Sequence, residues 1–223
     1  MKSTACCTCL LLAFFLSARQ IHGQSSFNYN RYQLKVSPFR AIDMINPGVE
    51  LSLERNYQRN SFQLSYAYMT SSLIQERNAR NYAGNRFAAE WKRFTQIKKS
   101  ARNYRSAELV YSSVHYPMVG VFGPRGTDTA TVLRSYSDSI RLYRKTLSLN
   151  VRIGHQFFLL KHFVFDVAFG IGLKYRNVRH TDRLISSDVL SPPRHPNAYH
   201  LAERTGKSIT VNVPTTFKIG YTF

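Results

Sequence analysis

A strict alternation of side chains runs through the last two apolar segments of the chain, residues 163–176 and 209–223. The odd-numbered positions carry Phe, Ile, Leu, Val or Tyr with a single Thr, whereas the even-numbered positions are mainly small or polar. An α-helix repeats every 3.6 residues and could not keep either set on one side, but successive side chains of a β-strand point to opposite faces. Both segments are therefore predicted to be strands with one apolar face.

Looser forms of the same alternation occur earlier in the chain, for example at Phe62, Leu64 and Tyr66. The segment 104–122 resembles a strand, but its phase is ambiguous, and we expect a bulge near Pro117. In all, the pattern predicts eight strands, at about 33–40, 46–56, 61–72, 85–96, 104–122, 140–156, 162–178 and 207–223.

The character of the two strand faces indicates the environment. A soluble antiparallel sheet turns its apolar face inward and carries many large charged side chains outside. Here the non-apolar face is small and mixed, as the narrow interior of an eight-stranded barrel requires, and the apolar face suits lipid with interfacial Tyr175 and Tyr221. We predict an all-β fold, a closed antiparallel up-and-down transmembrane β-barrel of about eight strands. A soluble lipid-binding barrel of the lipocalin type is the alternative.

The first 24 residues have the features of a signal peptide. Lys2 is followed by the apolar run 10–16, and the small residue Gly23 marks a cleavage site. All cysteines of the chain lie in this segment, which is expected to be removed: Cys6, Cys7 and Cys9. Residues 25–223 would then form a single barrel domain without disulfides, located in the cell outer membrane.

The lengths of the predicted connections agree with this topology. Short connections at 57–60, 97–103 and 157–161 fall on one side, and the long connections 73–84, 123–139 and 181–206 fall on the other. Outer-membrane barrels have short periplasmic turns and longer external loops.

The closing run Phe-Lys-Ile-Gly-Tyr-Thr-Phe, residues 217–223, together with the signal peptide and the alternating strands, resembles the small eight-stranded outer-membrane β-barrels of Gram-negative bacteria. The stretches 34–39 and 46–51 further resemble a family of such barrels whose function is uncharacterised. The resemblance implies that the barrel-assembly machinery recognises the last strand through a C-terminal signal formed by Phe217, Ile219, Tyr221 and Phe223.

Charged residues also occur on the face that should point into the barrel. Enclosed charges must pair, because an isolated buried ion costs several kcal/mol. We expect a salt-bridge network that fills the lumen, or alternatively the lining of a narrow polar channel, formed by Glu50, Glu54, Glu90, Lys92, Arg152, Asp166, Lys174 and Lys218.

No catalytic or metal site emerges from the sequence. His195 and His200 lie in the longest predicted loop but lack the supporting ligands of a metal site, and a Gly-x-Ser-x-Gly elbow is absent. We therefore predict no catalytic residues, no metal and no cofactor. A lipid-modifying enzyme, of the lipid A hydrolase or acyltransferase kind, remains the least favoured alternative.

Basic residues outnumber acidic ones by 31 to 12. Arginine binds phosphate through two parallel hydrogen bonds, and an outer leaflet of lipopolysaccharide presents phosphates at rim height. The predicted phosphate-binding rim is formed by Arg141, Arg144, Arg176 and Arg179. A second basic stretch, residues 92–107, suggests no role. No nucleic-acid recognition unit is visible.

These observations predict a monomeric structural or interaction protein of the outer membrane. Its basic external loops would contact surface glycolipid or an external partner. The alternative is a porin-like protein with a narrow pore for small solutes.

Overall fold

The computed structural model describes residues 32–38, 48–70, 82–98, 100–123, 136–159, 162–182, 184–185, 188–190 and 205–223. The predicted signal peptide and most of the long predicted loops lie outside these residues. Within them, no helix is long and apolar enough to cross a membrane. The strands are β1 (Tyr32–Val36), β2 (Gly48–Tyr57), β3 (Asn60–Thr70), β4 (Ala83–Ile97), β5 (Ala101–Gly123), β6 (Tyr136–Leu159), β7 (Phe163–Thr181), β8 (Val189–Leu190), β9 (Gly206–Asn212) and β10 (Thr215–Thr222).

The sheet closes on itself as an eight-stranded antiparallel up-and-down barrel, which confirms the predicted fold class. Strands β1 to β7 pair in chain order, and β10 pairs with both β7 and β1. Strands β9 and β10 are two parts of the eighth barrel strand, interrupted at Val213 and Pro214, because proline has no amide hydrogen to donate. The carbonyl of Pro214 still accepts a hydrogen bond from the Gly170 amide at 3.0 Å. The two-residue β8 adds to the end of β5.

Polar side chains point into this barrel and apolar side chains point out. Ile171 is 62% exposed on the outer wall, whereas Ala168, three positions earlier on the same strand, points inside and is 1% exposed. The outward face predicted for the last two apolar segments is thus the observed one. The outer wall carries Leu34, Leu51, Leu53, Phe62, Leu64, Phe87, Trp91, Leu109, Leu147, Leu149, Val151, Ile153, Phe169, Ile171, Leu173, Ile209 and Val211.

Strand β5 keeps one phase along its whole length. Pro117 pairs with Arg141 without any shift of register, so the expected bulge near Pro117 is wrong. The irregularity lies instead between Phe94 and Gln96, where β4 pairs with β5. The phase of β5 is hard to see in the sequence because its inward face changes from polar, at Glu108, to apolar, at Val114.

The two ends of the barrel differ. At the end that we call the turn end, β2–β3, β4–β5 and β6–β7 are joined by residues 58–59, 98–100 and 160–162. The opposite end, the loop end, carries the longer connections, and the β5–β6 hairpin continues there to the pair Phe122 and Tyr136. Short and long connections therefore alternate as the sequence predicts.

Candidate functional site

The centre of the lumen holds two lysines that bridge the same two carboxylates. Lys35 Nζ lies 2.6 Å from Glu54 Oε2 and 2.6 Å from Asp166 Oδ2. Lys92 Nζ makes the same two contacts at 2.7 Å each. The Tyr104 hydroxyl donates a hydrogen bond to Asp166 Oδ1 at 2.6 Å. Because all these groups are buried, each charge depends on its opposite neighbours to offset its loss of water.

A second group of ion pairs involves other inward side chains. Glu50 Oε2 accepts a hydrogen bond from Arg86 at 2.7 Å, and Glu50 Oε1 forms an ion pair with Lys218 at 2.8 Å. Glu108 forms an ion pair with Arg152 at 2.8 Å and lies 3.7 Å from Arg86. These contacts join β2, β4, β5, β6 and β10, so their geometry requires the closed barrel.

Glu90 connects the two groups, because one of its carboxylate oxygens lies 3.8 Å from both Lys92 and Arg152. We call the connected set of five cations and five carboxylates the lumen network. Its members are Lys35, Arg86, Lys92, Arg152, Lys218, Glu50, Glu54, Glu90, Glu108 and Asp166. Its formal charge is zero, so the +19 net charge of the chain resides elsewhere.

Most of this network was predictable. Seven of the eight predicted lumen residues belong to it, and the eighth, Lys174, points inward between Ser148 and Thr210, where it is half-buried. Sequence reasoning missed Lys35, Arg86 and Glu108. The alternation of inward and outward positions along β1, β4 and β5 places these three residues on the inward face, and it could have identified them.

Two glycines make room for long inward side chains on the neighbouring strand. Gly154 pairs with Tyr104, and a Cβ atom built at Gly154 would overlap the tyrosine ring. Gly220 pairs with Lys35, and a Cβ atom there would lie 2.6 Å from Lys35 Cγ. Glycines on the inward face thus leave the space that large side chains on the neighbouring strand occupy.

Side chains also fill the barrel at both ends of the lumen network. At the turn end, the Arg102 guanidinium lies 5.0 Å from the Phe94 ring and 4.6 Å from the Phe158 ring. At the loop end, the inward face is an apolar cluster of Met69, Tyr82, Val114, Tyr116, Met118, Phe122, Ile140, Leu142 and Val178. The described part of the lumen is therefore occupied along its length.

The four predicted rim arginines lie at the loop end but on two different faces. Arg141 and Arg179 are exposed on the outer wall, and Tyr143 lies directly opposite Arg179. Arg144 points inward, where its guanidinium donates to the Tyr82 hydroxyl at 3.1 Å, and Arg176 shares this inward face. The expectation of one four-membered group is thus corrected, because residues an odd number of positions apart on a strand point to opposite sides.

The outward arginines, Arg141 and Arg179, lie close to each other on the outer wall. Arg141 opposes Thr181, so it is a diagonal neighbour of Arg179 across the β6–β7 ladder. A hydrogen bond with Tyr143, and the nearby charge of Asp182, raise the pKa of Arg141 above its ordinary value. We refer to Arg141 and Arg179 as the loop-end pair.

The predicted assembly signal forms the outer face of the strand that closes the barrel. Phe217, Ile219, Tyr221 and Phe223 all point away from the inward Lys218. The Phe223 ring stacks on Tyr32 with a centroid distance of 6.1 Å, and the Tyr221 ring meets Phe163 at 5.8 Å. The first contact bridges the closing seam between the first and last barrel strands, and the second joins the last strand to β7. Recognition by the assembly machinery stays a prediction.

Among the described residues, no group of three His, Cys, Asp or Glu side chains could hold a metal ion. His195 and His200 lie outside these residues. No protein-family model, curated protein or solved structure matches the chain. Any functional conclusion therefore depends on the barrel itself.

We expect Asp166→Asn to destabilise the barrel strongly. The change leaves Lys35 and Lys92 with Glu54 as their shared partner, and breaking a buried ion pair on one side costs about 3–5 kcal/mol. Denaturant unfolding of the protein in detergent micelles measures the loss. Asp182→Asn, at an exposed position, is the control and should stay within about 0.5 kcal/mol of the parent. Parental stability of Asp166→Asn would contradict the network.

We expect Gly154→Val to lower the free energy of unfolding by about 1–3 kcal/mol, because it forces the Tyr104 ring from its place. In the double variant with Tyr104→Ala, the added valine should cost little, since the ring it strikes is gone. A double-mutant cycle measures this coupling. Additive effects of the two substitutions would mean that the ring and the glycine do not depend on each other.

Proposed function

We propose that this chain is an outer-membrane β-barrel, exported through its N-terminal signal peptide and assembled through β10. The observation that carries this proposal is the inverted distribution of polarity in a closed barrel. Leu149, Val151 and Ile153 are each at least 60% exposed on the outer wall, while the inside holds the lumen network. Water would penalise such a surface, whereas hydrocarbon favours it.

The height of the apolar wall fits a bilayer. Outward apolar residues on β7 extend from Phe163 to Tyr175. At about 3.3 Å per residue and a strand tilt of about 40°, this run rises about 30 Å, close to the thickness of a hydrocarbon core. Aromatic side chains lie at both limits, as in the interfacial girdles of membrane barrels: Tyr32, Phe163, Tyr221 and Phe223 near the turn end, and Tyr68, Tyr111, Tyr143 and Tyr175 toward the loop end.

The proposed role is structural or interactive, not transport. Ion pairs and an apolar cluster occupy the described lumen, which leaves the outer surface as the place where this protein meets its partners. Arg141 and Arg179 extend beyond the apolar wall, where the outer leaflet would present lipopolysaccharide phosphates. We propose that the loop-end pair binds these phosphates and that the barrel acts as a monomer.

Phe169→Arg should reduce insertion into lipid vesicles far more than Ala168→Ser does. The first change places a charge on the proposed lipid face, at a cost of about 2–4 kcal/mol near the bilayer centre, and the second adds only a hydroxyl inside. The heat-modifiable shift in gel migration reports the folded fraction in vesicles. Equal folded fractions for the two variants would contradict a lipid-facing outer wall.

The double variant Arg141→Gln/Arg179→Gln should retain less lipopolysaccharide during purification from outer membranes, most clearly at low salt, while staying folded. Arg93→Gln/Arg105→Gln removes the same charge from exposed positions near the turn end and is the matched control. Mass spectrometry of co-purified lipid measures retention. If both double variants retain as much as the parent, the loop-end pair has no specific role.

A further inference from the structure

A groove of about 580 Å³ lies on the outer wall near the turn end. It is lined by Arg59, Trp91, Arg93, Phe94, Thr95, Arg105, Ser106, Ala107 and Val151. Three of these residues are arginines and none is a carboxylate. Six of the nine lining residues belong to the basic stretch 92–107, and the outward arginines of this stretch, Arg93 and Arg105, take no part in the lumen network.

Two of the arginines face each other directly across strands. Arg93 of β4 pairs with Arg105 of β5, and both side chains are exposed on the outer wall. Like charges in directly opposite positions destabilise a sheet. Arg59, in the β2–β3 turn, adds a third positive charge. Its backbone carbonyl accepts a hydrogen bond from the Phe94 amide at 2.7 Å. An anion between these guanidinium groups would offset their repulsion.

The groove also has an apolar side that continues into the lipid-facing wall. Two residues along the strands from the arginine pair, Trp91 of β4 pairs with Ala107 of β5. Ala107 in turn pairs with Val151 of β6. In the row of the arginines themselves, the next outward residue on β6 is the apolar Ile153. The arginines therefore border apolar wall on two sides instead of lying in a wholly polar surface.

A groove with cationic and apolar sides matches an amphiphile with an anionic headgroup. We infer that it binds an anionic phospholipid of the turn-end leaflet, with the phosphate held by Arg93 and Arg105. One acyl chain would lie along Trp91 and Val151. Arginine binds a phosphate through two donors, and tryptophan favours the boundary between headgroups and hydrocarbon. This inference rests on the proposed membrane location.

Trp91 provides the probe, because it is the single tryptophan of the chain. The full chain is folded into phosphatidylcholine vesicles that contain the same small mole fraction of either brominated phosphatidylglycerol or brominated phosphatidylcholine. Bromine quenches tryptophan fluorescence at short range. We expect quenching by the brominated anionic lipid to be at least about twofold stronger, because guanidinium groups attract anionic lipid to this position.

In Arg93→Gln/Arg105→Gln the two brominated lipids should quench equally. Arg141→Gln/Arg179→Gln, which removes two charges from the other end of the barrel, should keep the preference for the anionic lipid. Equal quenching in the parent protein overturns the phospholipid site but leaves the membrane location standing. If both double variants lose the preference, the preference of the parent protein is an effect of net charge, and this overturns the phospholipid site. Absence of quenching by either lipid overturns the membrane location together with the site.

Discussion

Ten charged side chains can share the inside of this barrel because their charges cancel and each lies near an opposite one. Lys35 shows how far this requirement reaches, since it joins Glu54 on the adjacent β2 to Asp166 on β7. The first and seventh strands meet such partners only when the sheet closes. Closure and ion pairing therefore support each other, and a partly closed sheet would leave buried charges without their partners.

The same requirement bears on where the excess charge of the protein lies. The lumen network is neutral, so the excess positive charge of the chain lies outside this network. On the outer wall, arginines border the apolar surface at the groove beside Trp91 and extend past it at the loop-end pair. Both positions combine guanidinium groups with neighbouring aromatic rings, and for this reason we propose amphiphilic partners for them.

The sequence predicts the outward face well and the inward face less well. Outward positions share one property, their apolar side chains, so period two alone identifies Phe169 and Ile171 as outward. Inward positions share none, because on β5 they change from Glu108 in the network to Val114 in the apolar cluster. Lys35 was missed because β1 has only five residues, too few to establish a phase. Arg144 and Arg176 were assigned to the same rim as Arg141 and Arg179, although the alternation of side chains along each strand places them on the inward face.

The apolar wall does not have the same height around the barrel, and the groove lies where the wall is short. On β7 the outward apolar run covers 13 residues, from Phe163 to Tyr175, whereas on β4 it covers only Phe87 to Trp91, bounded by Asn85 and Arg93. A short apolar stretch in a bilayer must be met by local thinning or by polar groups that reach the headgroups. Arg93 and Arg105 lie where the wall ends early, so a headgroup drawn to them would satisfy the arginines and cover the shortened wall at once.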